Sequence, residues 1–372
     1  MSSTTQNGKP SLRVVAIGGG TGLSTLLRGL KRYVAAPAAF RRVPDAPVLN
    51  ASPQTEEHPP ALPCFIRDLA AIVTVTDDGG SSGRLREELN MLPPGDIRNC
   101  MVALSEDELL LARLFQYRFH HGGLEGHSFG NLFLAALSDI TGDFAQAVQM
   151  SSQILAARGR IYPATNSNVT LTARMDSGNL VHGETSITAS PQRIVELMLS
   201  PVDVEPLPAT LEAIANADLI TIGPGSLYTS LITNLLVRGI PEAIAASKAT
   251  RVYIANLMTQ ANESLGLTAA QHIEKILQHC GSNGANGAGA QSAGKHARIF
   301  DYALINTAPI SPALLEKYAR GGQAPIAADL DRIRALGVEP IPGDFALQGS
   351  LLRHDPDRLT QALLPLALAR PD

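Results

Sequence analysis

Two adjacent aspartates, Asp77 and Asp78, end an apolar run and lead into a polar stretch, GGSSGRLR. Paired carboxylates in such a place could hold Mg²⁺, which takes one or two carboxylates and leaves its other positions to water and phosphate oxygens. In dinucleotide-binding folds, an acid at the end of a strand binds ribose hydroxyls instead. The residue types leave both roles open for Asp77 and Asp78.

The polar stretch after the two acids carries groups that suit an anion. Gly79, Ser81 and Ser82 supply flexible backbone and hydroxyls, and the guanidinium of Arg84 can fork onto a phosphate or carboxylate. The simpler interpretation is a helix start that Ser82 caps. That interpretation leaves both aspartates and three glycines unexplained. We therefore interpret the stretch as one wall of a nucleotide-ligand pocket.

A glycine-rich loop, IGGGTGLS, lies between a short apolar run and a helical pattern near the start of the chain. Glycines let the backbone approach a phosphate, and the first turn of a helix offers unpaired N–H groups. The spacing matches neither G-x-G-x-x-G, which disfavours a dinucleotide-binding redox protein, nor a P-loop. The loop predicts a general anion cradle, with a tight turn as the alternative. Its residues are Gly18, Gly19, Gly20, Thr21 and Gly22.

Polar residues also open two predicted helices further along the chain. In PPGDIRN, Asp96 is expected to cap a helix and Arg98 to reach inward. In GHSFGN, His127 and Asn131 are four residues apart and would share one helix face. Each segment is equally well explained as an ordinary helix start.

Two later segments add amides and another glycine turn. NSNVTL brings Asn166 and Asn168 close together, and GPGSL places Gly225 in a second strand–glycine–helix pattern. The turn lacks the last glycine of the G-x-S-x-G nucleophile elbow, which disfavours a serine hydrolase. It predicts a second anion-binding or substrate-binding turn.

The elements that position these residues alternate between strands and helices. Such alternation predicts an α/β fold with a mostly parallel sheet, whose ligands bind beyond the carboxyl ends of the strands. Each glycine-rich loop follows a predicted strand, at 13–17, 69–76 and 217–222. Helices are predicted at 99–119, 128–139, 142–157 and 207–217, an antiparallel excursion at 160–190, and a final helix that Asp355 caps with Pro356 in its first turn.

Composition sets the limits of this interpretation. The chain has 372 residues, 45% hydrophobic and 17% charged, as in ordinary globular proteins, and its net charge of −4 gives no basic field for nucleic acid. No apolar run reaches the roughly 18 residues of a membrane span. Three scattered cysteines and a polar N-terminus favour a cytoplasmic protein.

The domain organisation is expected to be simple. We predict a single domain over 11–372, with a proline-rich inserted loop at 37–63 and a flexible linker rich in glycine and asparagine at 281–296. The insertion holds seven prolines and little periodicity.

Taken in order, the polar segments resemble a known family. They are GGGTGLSTLLRGLK, TDDGGSSGRLR, PPGDIRNCMVAL, GHSFGNLFLAAL, NSNVTL, GPGSLYTSLITNLLV and YIANLMTQ. Together they are similar to the YvcK/CofD-like family, in its gluconeogenesis factor branch. The resemblance spans most of the chain outside the two insertions and the termini.

The resemblance implies a Rossmann-like three-layer fold and a regulatory protein of the bacterial cytoplasm. Members bind UDP-sugars, notably UDP-N-acetylglucosamine, and are needed for cell shape and cell-wall precursor supply on gluconeogenic carbon. Self-association into a homo-oligomer and partners among cell-wall synthesis enzymes are implied as well. The related CofD proteins transfer a 2-phospholactyl group, so a metal-assisted transferase is the alternative, although no segment suits a deazaflavin substrate.

The resemblance also implies roles for individual residues. The residues from Gly18 to Gly22 would contact the phosphates of the ligand, and Asp77 and Asp78 would meet a metal or the ribose. The pocket would be lined by Asn131, Asn166 and Asn168, and the nucleotide-sugar would be contacted by Tyr318 and Arg353.

Overall fold

The computed structural model describes residues 5–6, 9–34, 64–106, 110–282 and 298–369. Its strands are β1 (Thr5–Gln6), β2 (Lys9–Gly18), β3 (Phe65–Val73), β4 (Arg160–Pro163), β5 (Thr170–Met175), β6 (Leu180–His182), β7 (Ile194–Ser200), β8 (Leu219–Ile222), β9 (Thr250–Ile254), β10 (Tyr302–Asn306), β11 (Glu339–Gly343), β12 (Ala346–Gln348) and β13 (Leu352–His354). Its α-helices are α1 (Gly20–Lys31), α2 (Gly80–Leu89), α3 (Gly95–Leu104), α4 (Leu110–Gln116), α5 (Phe129–Thr141), α6 (Phe144–Ile154), α7 (Glu184–Ala189), α8 (Pro208–Asn216), α9 (Thr233–Leu235), α10 (Ile240–Ala246), α11 (Ala269–Ser282), α12 (Pro312–Ala319), α13 (Leu330–Ala335) and α14 (Pro356–Leu368). A 3₁₀ turn at Gly122–Leu124 and a π-helical segment at Leu227–Ile232 complete them.

The central sheet has the strand order β11-β10-β9-β8-β2-β3-β4, and every pair in this series is parallel. After the two-residue β1, which pairs with β2 in antiparallel register, the chain enters this series at β2 and moves outward through β3 and β4. It then returns to the other side of β2 with β8 and moves outward through β9, β10 and β11. The order therefore reverses between β2 and β8, which is where open α/β sheets bind their ligands.

The middle of the sheet is buried on both faces. Five successive residues, 69–73 of β3, are buried, and so are residues 14–18 of β2 and all of β8. Consecutive strand residues point to opposite faces, so burial of every residue means that helices cover both sides. The predicted α/β fold with a mostly parallel sheet in three layers is confirmed.

Two smaller sheets lie outside this central one. β5 pairs in antiparallel register with β6 and with β7, and β12 and β13 form a separate hairpin. The antiparallel excursion predicted at 160–190 is therefore partly wrong. Its first strand, β4, joins the edge of the central sheet in parallel with β3, while the antiparallel sheet extends on to β7.

The single helix predicted at 99–119 is also wrong. It is divided into α3 and α4, because the backbone at Ser105 turns to an extended conformation (φ −57°, ψ 139°). The end of α3 is held by groups from elsewhere. The ammonium of Lys31 donates to the carbonyl of Ser105 at 3.0 Å, and the N–H of Arg158 donates to the carbonyl of Leu104 at 2.8 Å.

Other local predictions are confirmed. The apolar positions of α1 are fully buried in the main core: Leu23, Leu26, Leu27 and Leu30. The carboxylate of Asp355 caps α14 by accepting from the N–H groups of Asp357 and Arg358. The inserted loop predicted at 37–63 lies outside the described residues, as does the predicted linker beyond Ser282, where α11 ends.

Candidate functional site

Two glycine-rich turns meet where the strand order reverses. A β-carbon added to Gly22, in the first turn of α1, would lie 2.4 Å from the carbonyl oxygen of Pro224, which follows β8. The side chain of Asn256, just after β9, donates to the carbonyl of Gly225 at 2.8 Å and accepts from its N–H at 3.3 Å. The loops after three adjacent strands are thus fastened into one surface.

That surface forms the wall of an open cavity of about 370 Å³. Seven residues predicted from the sequence line it: Gly19, Gly20, Thr21, Gly22, Gly225, Tyr318 and Arg353. The predicted residue Gly18 lies just behind the wall, buried, with its carbonyl accepting from the side chain of Asn234 and the N–H of Thr74. Residues more than 300 positions apart in the sequence therefore share one crevice.

The far side of the crevice is the β12–β13 hairpin. Its strand β13 carries Arg353, which is exposed, and the hydroxyl of Tyr318 accepts from the N–H of Leu352 at 3.1 Å. Next in the chain, the Nε2 atom of His354 lies 3.0 Å from the carbonyl of Ala255, and burial lowers the pKa of His354 to about 4. Because that imidazole is neutral at pH 7, Arg353 supplies the positive charge on this side.

A carboxylate outside the lining lies against the glycine loop of α1. Asp96, in the first turn of α3, places its Oδ2 atom 2.7 Å from where a β-carbon of Gly19 would lie. The backbone N–H of Gly20 lies near this carboxylate and acts to lower its pKa. Burial, and then the neighbouring charge of Asp77, raise the pKa of Asp96 to about 7. The expected helix-capping role of Asp96 is wrong, because its carboxylate lies against the glycine loop of α1.

More acidic groups lie behind Asp96. Glu184 accepts from the hydroxyl of Thr76 at 3.0 Å, and burial, followed by the charges of Asp96 and Asp77, raises the pKa of Glu184 well above its ordinary value. Asp77 itself accepts from the N–H of Gly79 at 3.0 Å. This side of the glycine loop is therefore rich in carboxylates.

The two adjacent aspartates face different partners. Whereas Asp77 accepts from Gly79, Asp78 accepts from both the N–H and the hydroxyl of Thr185, at 2.8 and 2.6 Å. In the part of the chain that the structure describes, no group of three or more His, Cys, Asp or Glu residues is arranged to hold a metal ion. The role of Asp77 and Asp78 toward Mg²⁺ stays a prediction.

The start of α2 is built differently from the simple interpretation of the sequence. The helix begins at Gly80 with Gly79 at the N-cap position, and no side chain caps it. The alternative in which Ser82 caps the helix is therefore wrong. Ser82 is instead buried inside the first turn, with its hydroxyl against Gly95.

Ser81 is the meeting point of two residues from the GHSFGN segment. Its hydroxyl oxygen accepts from the side-chain amide of Asn131 at 3.1 Å and lies 3.1 Å from Nδ1 of His127. The shared helix face predicted for His127 and Asn131 is wrong, because α5 begins only at Phe129 with Ser128 as its cap. The two side chains converge through tertiary contact rather than helical spacing.

Ten predicted site residues do not line the crevice: Gly18, Asp77, Asp78, Gly79, Ser81, Ser82 and Asn131, described above, and Arg84, Asn166 and Asn168. Arg84 is exposed and donates to the carbonyl of Glu125 at 2.7 Å. Asn166 and Asn168 line a separate cavity of about 670 Å³ at the other end of α2. There Asn166 donates to the carboxylate of Asp143 at 2.7 Å, and Asn168 accepts from Arg86 at 2.7 Å. The structure does not bring these three residues to the glycine loops.

A parallel sheet whose strand order reverses between two facing glycine-rich turns defines a Rossmann-like α/β protein of the kind that places a ligand at this point. The family model described as 2-phospho-L-lactate transferase CofD matches residues 14–346, and the chain belongs to this family.

Named relatives cover nearly the whole chain. It is 45% identical over 353 residues to a gluconeogenesis factor of Halalkalibacterium halodurans, covering 94% of this chain and 95% of that protein. It is 41% identical over 356 residues to the gluconeogenesis factor of Bacillus subtilis, covering 95% and 98%. A crystal structure of a Bacillus halodurans protein of the UPF0052 family superposes with a TM-score of 0.80 at 44% identity, covering 95% of this chain and 99% of that one. Across the described ranges, no helix has the length and apolar character to cross a membrane.

Proposed function

We propose that this protein binds a UDP-sugar, with UDP-N-acetylglucosamine as the first ligand to test. In this proposal it is a cytoplasmic, self-associating regulatory protein of the gluconeogenesis factor type. It adjusts cell-wall precursor supply, and so cell shape, on gluconeogenic carbon through enzymes of cell-wall synthesis. The observation that carries the proposal is the convergence of both glycine-rich turns, Tyr318 and Arg353 on one cavity.

The size and chemistry of the cavity support a polar ligand. Its volume of about 370 Å³ lies within the usual range of roughly 300–1,000 Å³ for small-molecule sites. Its walls combine backbone groups, the amides of Asn256 and Gln260, an aromatic ring at Tyr318 and the guanidinium of Arg353. A nucleoside diphosphate sugar offers hydroxyls and phosphates to such a mixture.

A metal-assisted transferase of the CofD type is the second candidate. The adjacent carboxylates of Asp77 and Asp78 and the match to the CofD family model favour it, because hard cations such as Mg²⁺ prefer oxygen ligands. Asp77 or Asp78 would hold the ion, which would stabilise the charge that develops during transfer. A regulator would bind its ligand without turnover, whereas the transferase would depend on the metal.

Calorimetric titration of the protein with UDP-N-acetylglucosamine, with and without Mg²⁺, tests the proposal. The ligand is then recovered and analysed by chromatography. Saturable heat with intact ligand is the expected result for the regulator. Released UDP would favour the transferase, and no binding of any UDP-sugar would overturn the proposal.

Two arginine variants, one in the cavity and one outside it, test whether the ligand binds in this cavity. Arg353→Ala is expected to weaken binding by about ten- to a hundredfold, because hydrogen bonds to charged groups contribute about 1.5–3 kcal/mol. Arg238→Ala is the control, since Arg238 is equally exposed but lies outside the cavity. Equal affinities for the two variants would place the ligand elsewhere.

A further inference from the structure

Positive and negative charge lie at different places around the crevice. Among the described residues that line it, Arg353 is the only arginine or lysine. Asp96 is not itself part of the lining, but it is half-buried and its carboxylate lies against Gly19 and Gly20, where the sequence predicts an anion cradle. The N–H of Gly20, which such a cradle would offer to a phosphate, lies near the Asp96 carboxylate and favours its charged form.

The surroundings of Asp96 do not neutralise its charge. Asp77 and Glu184 are its acidic neighbours. The positive charge that acts on Asp96 is that of Arg98, whose guanidinium donates to the hydroxyl of Ser128 at 2.6 Å and to the side chain of Asn99 at 2.8 Å. Since Arg98 makes its hydrogen bonds to these neutral groups, a phosphate placed at Gly19 and Gly20 would face the negative charge of Asp96 once the pH exceeds its pKa of about 7.

We propose that Asp96 is a specificity residue that accepts hydrogen bonds from hydroxyl groups of the ligand. The ligand then lies with a hydroxyl-bearing ring against Gly19 and Gly20 and with its phosphates toward Arg353. This inference rests on the proposed UDP-sugar function and assigns the orientation of the ligand within that site. It reverses the expectation that the residues from Gly18 to Gly22 contact the phosphates.

The chemistry at this end of the crevice suits a diol. A carboxylate has two oxygens and accepts hydrogen bonds only, so it can receive both protons of two adjacent hydroxyls. Gly19 lacks a side chain, and a β-carbon there would lie 2.7 Å from the Asp96 oxygen and 2.6 Å from the Thr74 side chain, so any other residue at this position would crowd the acid. The ribose and the hexose of a UDP-sugar both supply such hydroxyls.

A cycle of ligands and variants tests the orientation. Affinities of UDP-N-acetylglucosamine, UDP, 2′-deoxy-UDP and inorganic pyrophosphate are measured by calorimetry for the wild type, Asp96→Asn and Asp68→Asn. Asp68→Asn is the matched control, because Asp68 pairs with Arg160 near the amino ends of the strands. It is expected to leave all four affinities unchanged.

The expected result for Asp96→Asn has opposite signs for different ligands. The ratio of the affinity for the ligand that carries the hydroxyl to the affinity for the ligand that lacks it falls by about tenfold, as expected for loss of a hydrogen bond to a charged acceptor. Pyrophosphate binding strengthens, because a negative charge is removed. A misfolded variant would lose affinity for every ligand, so the opposite signs also show that the variant is folded.

The ligand series identifies which ring meets Asp96. If the ribose does, the preference for UDP over 2′-deoxy-UDP collapses in Asp96→Asn. If the hexose does, the preference for UDP-N-acetylglucosamine over UDP collapses instead. Wild-type binding of UDP-N-acetylglucosamine with both preferences unaltered in Asp96→Asn would overturn the orientation while leaving the proposed function standing. Absence of any wild-type binding would overturn the proposed function itself.

Discussion

The hydroxyl of Tyr318, on α12, accepts a hydrogen bond from the backbone N–H of Leu352 at 3.1 Å. Leu352 begins β13 and immediately precedes Arg353, and it packs with Tyr318 against a small apolar cluster that includes Leu257 and Met258. A residue expected from the sequence to contact the ligand therefore also holds the strand that carries the arginine. The position of Arg353 depends on this contact.

Replacing Tyr318 with phenylalanine should loosen the β12–β13 hairpin without changing its packing. The lost hydrogen bond contributes about 0.5–1.5 kcal/mol, so we expect the Leu352 amide to exchange its hydrogen faster and UDP-N-acetylglucosamine affinity to fall severalfold. Hydrogen exchange and calorimetry measure the two effects. Tyr302→Phe, on β10, is the control. Unchanged exchange at Leu352 in Tyr318→Phe would contradict the structural role.

Replacing Gly22 with alanine should destabilise the protein although Gly22 lies in a helix. Alanine is normally better than glycine in a helix by about 1 kcal/mol. Here the added methyl group would lie 2.4 Å from the carbonyl oxygen of Pro224, which is backbone and cannot rotate away. We expect a loss of about 1–3 kcal/mol in the free energy of unfolding, measured in urea. Gly123→Ala, where the methyl group meets open space, should be nearly neutral; comparable losses at the two sites would show that the loops can separate freely.

Asp96→Asn should stabilise the ligand-free protein increasingly as pH rises. Burial and the charge of Asp77 raise the pKa of Asp96 from its ordinary value of 3.8 to about 7. Between these values the unfolded chain has lost a proton that the folded protein keeps, so wild-type stability falls with rising pH. Asparagine removes that dependence.

Thermal unfolding at several pH values measures this effect. The Tm difference between Asp96→Asn and the wild type should be small near about pH 4.5 and positive near about pH 7.5, when the wild-type carboxylate is charged in both states. The opposite trend, with the variant losing stability at the higher pH, would mean that a positive group stabilises the Asp96 carboxylate.

Local sequence patterns predicted the elements but not all of the site. The glycine loop of α1 and the turn at Gly225 follow strands directly, and parallel strands bring their carboxyl ends together whatever else the chain does. The sequence alone indicates only a capping role for Asp96, because the contact of its side chain with the glycine loop depends on how α3 packs beside α1. The spacing of residues within α3 does not indicate that contact.

The asparagines show the same limit. Asn166 and Asn168 follow β4 at the edge of the sheet, so their distance from the reversal point depends on strand order, which the sequence does not contain. Their spacing predicts a shared helix face for His127 and Asn131, but His127 lies before the start of α5, and the two side chains instead meet at Ser81. Tertiary packing decides both outcomes.

Ser81→Ala should lower the free energy of unfolding by more than the loss of an ordinary buried serine hydroxyl does. Its hydroxyl serves both the Asn131 amide and Nδ1 of His127, and all three residues are buried, so alanine leaves two polar groups without a partner. Leaving a buried polar group unpaired costs about 1–3 kcal/mol. Burial, followed by the charge of Arg84, lowers the pKa of His127, so the imidazole is neutral at pH 7 and cannot compensate by attracting an anion.

A double-mutant cycle in urea separates this pairing from simple loss of a hydroxyl. The losses for Ser81→Ala and Asn131→Ala should add to more than the loss for the double variant, because each single variant breaks the same contact. Ser311→Ala is the control, since that serine stands at the start of α12 without making a side-chain capping bond. Strict additivity would show that Ser81 and Asn131 act independently, and that the start of α2 is held to α5 by packing alone.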